Sequence, residues 1–292
     1  MPRWYITAVR FKMKKYLFVL SALVLFALGS CQKFAGDPVT QDFNIEGSYT
    51  ELQVENGFEV IVSDAATAIT ITAGENVMPK VVVEKVGNKL RIHLKPMASS
   101  YGSEMKVILP YNADLINVDL SGGSEFHSEY ALDGEKIEVD LSGGSEFYCN
   151  LYADEVDVDM SGGSEFIGDV EADEIDMDLS GASKTEGYVA ASELDIELSG
   201  GSEATLEGKV NKLEVNLSGG SNIMKKVIGS RYALVCDQCE GEMSGGSDAY
   251  IHCDGSIKVS LSGGCELHYT GNAATTGSDC SGGSDVSHDV LP

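Results

Sequence analysis

The chain has 292 residues, with 46 Asp and Glu against 20 Lys and Arg, which gives a formal net charge of −26. The length allows one large domain or two small ones, and 43% hydrophobic residues is too many for a disordered acidic chain. Because contacts to phosphates need Lys and Arg, the charge argues against a nucleic-acid partner.

Residues 1–30 have the composition of an export signal. They contain five basic residues and no acidic one, and residues 16–28 form a continuous run of 13 mostly apolar residues. Such a run suits the hydrophobic region of a signal peptide and is short for a membrane span. We therefore predict a signal peptide at residues 1–30, with a buried core helix as the alternative.

The end of this segment, Leu28-Gly29-Ser30-Cys31, resembles the lipobox of bacterial lipoproteins. The resemblance implies cleavage before Cys31 and acylation of its thiol, so the membrane becomes a partner through a lipid anchor. Each buried CH₂ of an acyl chain adds roughly 0.8 kcal/mol of membrane affinity. Gln32 follows rather than Asp, which by family analogy implies an outer-membrane lipoprotein on the cell surface or the periplasmic face. Ordinary cleavage with a free Cys31 is the alternative.

Downstream of the signal we expect a tether at residues 31–45 and then an irregular all-β part at residues 46–116. Candidate strands in this part are residues 58–62, 69–73, 81–85, 89–94 and 105–109. The dipeptides Asn56-Gly57 and Gly87-Asn88 are turn signals. This part is either less regular coils of a solenoid or a cap.

Residues 117–292 contain an internal repeat. The tetrapeptide Ser-Gly-(Gly/Ala)-(Ser/Cys) occurs nine times, and most copies are 18 to 21 residues apart. One spacing is 26 residues, from Ser218 to Ser244, and we term this segment the long coil. Each copy follows a segment in which apolar and acidic residues alternate, which is typical of a strand that ends at a glycine corner. A period of about 19 residues is too short for a βαβ unit and predicts one coil of a parallel β-solenoid. The corner serines are expected to hydrogen-bond between coils.

Three segments resemble a known family: residues 54–60 (VENGFEV), 107–110 (VILP) and 120–124 (LSGGS). Together with the lipobox they are similar to the "putative auto-transporter adhesin head domain" family of exported bacterial lipoproteins. The resemblance covers about residues 45–290 and implies a right-handed parallel β-helix. It brings no catalytic residues. We therefore expect an all-β protein with a single solenoid domain at residues 46–292.

Stacked coils would align acidic residues in rows about 5 Å apart, where repulsion is roughly 3 kcal/mol per pair at an effective dielectric near 20. A solvated acidic face, weak cation binding and a specific Ca²⁺ site are the three interpretations. No other cofactor is expected. The candidate metal ligands are Asp157, Asp159, Asp176, Asp178, Asp195 and Glu197.

The sequence shows no constellation of catalytic residues. Pairs of carboxylates occur throughout the acidic rows. A pair with the carboxylate separation of a glycosidase is therefore weak evidence for catalysis. A catalytic site should interrupt the repeat with a cluster of His, Arg or Tyr residues, and the sequence shows no such cluster. The five histidines are expected at surface or turn positions: His93, His127, His252, His268 and His288.

Six cysteines remain beyond Cys31. Cys236 and Cys239 lie in the long coil, without the further ligands that a zinc site needs. A shift of one coil places Cys236 near Cys253, so these two are disulfide candidates. Cys280 takes the interior position of Leu261 and is expected to be a buried thiol.

These features predict a lipid-anchored binding or adhesion module of the cell envelope, without catalytic activity. Its partner would be a glycan, a host protein or another envelope component. A carbohydrate-active β-helix enzyme and a purely structural envelope protein are the alternatives.

Overall fold

The computed structural model describes residues 35–291, so the predicted signal peptide and Cys31 lie outside the described residues. The described chain is an all-β solenoid, in which 23 strands join one continuous hydrogen-bonded sheet. No helix in this part has both the length and the apolar character needed to span a membrane.

The N-terminal part contains seven strands and one 3₁₀ turn at Met78–Lys80. The strands are β1 (Pro38–Phe43), β2 (Glu51–Val54), β3 (Glu59–Ser63), β4 (Ile69–Gly74), β5 (Val81–Val86), β6 (Lys89–Leu94) and β7 (Lys106–Pro110). The positions of β3 to β7 agree closely with the five strands predicted from the sequence, whereas β1 and β2 were not predicted.

The irregular N-terminal part is both solenoid and cap. The pair β6 and β7 forms a terminal coil, and β2 and β3 stack on it in parallel. Antiparallel pairing of β5 with β6 and of β4 with β7 covers the outer edge of that coil. The exposed backbone edge of a parallel stack is thereby closed at this end.

The predicted tether is shorter than expected. Residues 38–43 form β1, which pairs antiparallel with β4 over its whole length. Ala35 is buried against Gly74, where there is no side chain to keep the two segments apart. The prediction was wrong for these residues because their backbone has an open strand edge with which to pair.

The remaining strands follow the repeat. They are β8 (Asn117–Leu120), β9 (Glu125–His127), β10 (Leu132–Leu141), β11 (Glu146–Tyr148), β12 (Leu151–Met160), β13 (Glu165–Ile167), β14 (Val170–Glu171), β15 (Glu174–Leu179), β16 (Lys184–Leu198), β17 (Glu203–Leu217), β18 (Asn222–Ile223), β19 (Val227–Ile228), β20 (Arg231–Tyr232), β21 (Leu234–Met243), β22 (Asp248–Leu261), β23 (Glu266–Thr270), β24 (Asp279–Cys280) and β25 (Asp285–His288).

Equivalent residues of successive coils lie directly over one another. Parallel registers pair β8 with β10, β10 with β12, β12 with β15, β15 with β16 and β16 with β17. One interior row consists of side chains that are at most 2% exposed. Its members are Leu120, Leu141, Met160, Leu179, Leu198, Leu217, Met243 and Leu261. Phe126, Phe147 and Phe166 also point inward and stack on one another.

The corner serines bond both within their own motif and, as predicted, between coils; Ser180 Oγ donates to the Met160 carbonyl of the preceding coil at 3.2 Å. The fourth residue of the motif is a fully buried serine in seven coils. Its hydroxyl donates to the carbonyl of the first serine of the same motif, as from Ser202 to Ser199 at 2.9 Å. These bonds close each corner on itself, and neighbouring corners are joined by backbone bonds such as Gly201 N–H to the Gly181 carbonyl, 2.8 Å.

Cys280 was predicted to be buried and is exposed. It lies in register with Leu261, as expected from the repeat. However, no later coil among the described residues covers it, so the interior position of this terminal coil is open to solvent. The prediction was wrong because burial in a solenoid needs a neighbour on both sides.

Candidate functional site

The outer surface of the long strands carries a field of carboxylates. Alternating residues of each strand point outward, and parallel register stacks them into columns. One column contains Glu138, Asp157, Asp176, Asp195, Glu214 and Glu240. The adjacent column contains Asp140, Asp159, Asp178, Glu197, Asn216 and Glu242. The rows predicted from the sequence are therefore present in three dimensions, and all six candidate metal ligands lie in these two columns.

Two lysines close this field at its ends. Lys136 Nζ lies 2.5 Å from Glu155 Oε1 and 2.6 Å from Asp157 Oδ2. Lys212 Nζ lies 2.6 Å from Glu193 Oε1 and 2.8 Å from Glu240 Oε1. Lys212 therefore connects carboxylates of different coils, while Lys136 holds two carboxylates of the following coil, and each lysine lowers the repulsion between its partners.

The middle of the field has no such compensation. Among the described residues, no ion pair reaches Asp176, Asp178 or Asp195. Burial, together with the neighbouring carboxylates of Glu214 and Asp176, raises the pKa of Asp195 to about 6. Burial and nearby carboxylates raise the pKa of Asp176 and Asp178 in the same way. This part of the surface therefore holds negative charge at a cost to the folded state.

A groove of about 810 Å³ runs along the second of these columns. It is lined by acidic residues and by the first serine of successive corner motifs. The lining includes Asp140, Asp159, Asp178, Glu197 and Glu242 together with Ser142, Ser161, Ser180, Ser199, Ser218 and Ser244. At about 4.8 Å per coil, the groove offers one carboxylate and one hydroxyl at nearly every step along the solenoid axis.

The candidate metal ligands divide between the groove and its rim. Asp159, Asp178 and Glu197 line the groove, whereas Asp157, Asp176 and Asp195 belong to the neighbouring column. Within the described residues, no three His, Cys, Asp or Glu side chains converge in an arrangement suited to a metal ion. The carboxylates form a line instead of a cage, and a line suits contacts with an extended ligand.

A second group of polar residues lies at the long coil. The Tyr232 hydroxyl donates to Asp289 Oδ2, and His268 Nδ1 lies 3.3 Å from the same oxygen. The ring of His268 stacks on Tyr250 at 4.7 Å, and Lys225 Nζ lies 5.5 Å from the centre of the Tyr250 ring. Tyr232 is completely buried, so this group fixes the base of the hairpin β19–β20.

Sequence reasoning missed this second group. The histidines are scattered along the chain, and the only signal that marks the place is the broken spacing of the long coil. Tyr232 and Asp289 are 57 positions apart, and only the stacking of four successive coils brings them together. Of the other histidines, His288 is exposed, whereas His93, His127 and His252 are half-buried. Their partners are local: His127 stacks on Tyr148, and His252 contacts Asp254.

The cysteines of the same region face the interior. Cys236 and Cys253 lie opposite each other in the pairing of β21 with β22, and both are fully buried. Cys239 is buried as well, but Ile257 lies opposite to it. The three thiols are unbridged in the structure.

Solved structures share this fold. A "putative adhesin" from Parabacteroides distasonis matches at 16% identity with a TM-score of 0.61, covering 87% of this chain and 95% of the other. A "putative adhesin" from Parabacteroides merdae matches at 17% identity and 0.59, covering 87% and 97%. A protein described as a "Putative lipid binding protein" from Parabacteroides distasonis matches at 19% and 0.58, also covering 87% and 97%.

No curated protein matches this chain in sequence. The family described as "Putative auto-transporter adhesin, head GIN domain" matches residues 48–189 and, in a second copy, residues 166–273. The two matches together cover the N-terminal cap and most of the regular coils. The chain therefore belongs to this family of adhesin head domains.

Proposed function

We propose that the protein is a lipid-anchored binding and adhesion module of the cell envelope without catalytic activity. The observation that carries the proposal is the groove, whose carboxylates and serine hydroxyls repeat from coil to coil. Membership of a family described as adhesin heads supports the same conclusion.

The groove suits an extended ligand that lies along the solenoid axis. Carboxylates accept hydrogen bonds from hydroxyl or ammonium groups, and serine hydroxyls both donate and accept. A neutral or amino-substituted glycan chain offers such groups at repeated intervals. An anionic polysaccharide would be repelled, because residues 31–292 keep 15 Lys and Arg against all 46 Asp and Glu, a net charge of −31.

The envelope location rests on the lipobox. Acylation of Cys31 would place the anchor a few residues before β1, which begins at Pro38. A rod anchored at one end can then present its side face to a partner. The membrane is thus a partner through the lipid, while a glycan or an envelope or host protein is the partner of the groove.

A glycan array tests this function. The soluble chain from Gln32 is applied in Ca²⁺ and again in EDTA, and the bound glycans are recovered and examined for cleavage. We expect the protein to bind extended neutral or amino glycans and to leave them intact. Loss of glycan binding in EDTA would indicate that weakly bound Ca²⁺ bridges the glycan and the acidic columns.

The two alternative functions give different outcomes in the same experiment. Shortened glycans would support a carbohydrate-active β-helix enzyme instead. No binding in either buffer would remove the groove as a glycan site and favour a structural envelope protein.

A further inference from the structure

Two thiols from neighbouring coils meet inside the solenoid. Cys236 on β21 and Cys253 on β22 are register partners, and each is 0% exposed. Neighbouring strands lie about 4.8 Å apart, which falls within the range of Cα separations that a disulfide can bridge. Both side chains are buried on the interior side of the sheet, so the two thiols are neighbours there.

The other described cysteines lack this arrangement. Ile257 lies opposite Cys239, and the Cys149 thiol contacts the Tyr130 carbonyl at 3.2 Å. Cys265 takes the place of the buried corner serine and donates to the carbonyl of Ser262 at 3.2 Å, as a serine would. Among residues 35–291, Cys236 and Cys253 are thus the two cysteines that strand register sets opposite each other.

The position of this pair gives a cross-link a structural purpose. The hairpin β19–β20 leaves the ladder, and the chain returns to it at Leu234. Cys236 is the third residue of the returning strand, and the register with β22 is irregular between Cys236 and Gln238. A covalent bond at this point would hold the long coil onto the next coil where the regular hydrogen bonding is interrupted.

We propose that Cys236 and Cys253 form a disulfide in the exported protein, an inference that rests on the proposed envelope location. Each thiol loses its hydrogen, one S–S bond forms, and a protein or small-molecule disulfide of the oxidising compartment is reduced to two thiols. Because both sulfurs are buried in the finished fold, the exchange takes place before β22 docks on β21. In the absence of this oxidation the two thiols remain a buried, unbridged pair.

The test starts from the full chain, produced with its signal in a Gram-negative host, alkylated under denaturing conditions and digested with trypsin and Asp-N. No Lys or Arg lies between Arg231 and Lys258, so trypsin leaves all three thiols in one peptide. Asp-N cleaves before Asp237, Asp248 and Asp254 and places each cysteine on its own fragment. We expect residues 232–236 linked to residues 248–253, with Cys239 alkylated.

A second measurement compares the melting temperatures of two samples of the protein. Both are unfolded in denaturant and refolded, one with a reductant and the other without it. Loss of the bridge should lower the melting temperature by about 5–10 °C, because the closed loop is of moderate length. Cys253→Ala should lack this response to reductant, whereas the matched control Cys265→Ser should keep it. A linkage that contains Cys239, or three alkylated thiols in chain recovered from the envelope, would overturn the inference.

Failure of the envelope location is distinguishable from failure of the disulfide. If the chain remains in the cytosol, the purified protein is unfolded and refolded with oxidised glutathione before mapping. The 236–253 linkage in that sample would support the geometry although the location is wrong, and three free thiols would overturn the disulfide as well.

Discussion

Lys212 Nζ lies 2.6 Å from Glu193 Oε1, a carboxylate of the preceding coil that strand register places directly opposite to it. Lys136 makes the same contact with Glu155 at the other border of the acidic field. The two lysines therefore stand at the ends of a third column, in which Glu155, Glu174 and Glu193 lie between them. The coils between the two lysines rely on solvent, protonation or a ligand to relieve their charge.

Replacing Lys212 by Gln should destabilise the solenoid. The ammonium contacts Glu193, Glu214 and Glu240, so its loss leaves three carboxylates of different coils without their shared cation. Because exposed ion pairs contribute little individually, we expect about 1 kcal/mol, measured by thermal or urea unfolding. Lys209→Gln is the control, since Lys209 makes one longer contact, 3.6 Å to Asp237. Equal effects of the two changes would contradict the role of the network.

Stability should rise as the pH falls from 7.5 to 5. The pKa of Asp195 is raised to about 6 in the folded chain from 3.8, so the folded state binds a proton more readily than the unfolded state. The free-energy cost of the ionised Asp195 carboxylate in the folded state is fully present above pH 6 and disappears below about pH 4. With solvent screening we expect about 1 kcal/mol from this residue, and Asp195→Asn should recover it at pH 7.5 in urea unfolding.

Asp254 is the matched control for this pH dependence. Its pKa is lowered, chiefly by the hydrogen bond from the Asn272 N–H, so its charge favours the folded state at neutral pH. Asp254→Asn should therefore decrease the unfolding free energy at pH 7.5, which is the opposite sign. If Asp195→Asn also destabilised the protein at pH 7.5, the proposed cost of the acidic columns would be wrong.

At the corner that begins at Ser199, the first glycine should be irreplaceable, while the second is not. Gly200 has φ +77°, and a Cβ there would lie 2.7 Å from the Gly181 carbonyl oxygen of the preceding coil. Gly200→Ala should cost more than about 2 kcal/mol in chemical unfolding. Gly201→Ala should stay within about 0.5 kcal/mol, since its nearest contact is 3.7 Å and Ala182 naturally takes this position. Similar costs at both positions would contradict the stacked-corner geometry.

The regular coils could be predicted from the sequence because period and register are properties of the chain itself. Once the corner motif fixes the start of each coil, Asp157 must lie beside Asp176, and Leu179 beside Leu198. The columns of the candidate site follow directly from this alignment. The depth of the groove beside them does not, since it depends on how far each corner turns away from the strand.

The features that sequence reasoning missed are those in which the repeat ends or is interrupted. Cys280 is exposed because its coil is terminal, and β1 exists because β4 offers an open edge. The group around Tyr232 and Asp289 forms where the long coil leaves the ladder. At such places contacts are no longer repeated at a fixed spacing, so periodicity carries no information about them.

Replacing Cys31 by Ala should release the protein from membranes. The change removes the thiol that the lipobox would acylate, and with it the affinity contributed by the acyl chains. Cell fractionation with antibody detection measures the distribution, and Cys149→Ala serves as the control because Cys149 lies buried in a coil. A Cys31→Ala protein that still fractionates with membranes would contradict the predicted anchor.

The most direct test of the proposed function compares two triple variants on the same array of neutral and amino glycans. Asp159→Asn, Asp178→Asn and Glu197→Gln neutralise three successive steps of the groove, whereas Glu146→Gln, Glu165→Gln and Glu203→Gln neutralise a separate acidic row. We predict that the groove variant loses at least about tenfold in affinity, equal to about 1.4 kcal/mol, and melts no lower than wild type. The control variant should bind like wild type. Equal binding by the wild type and the groove variant would contradict the assignment of the groove as the binding site.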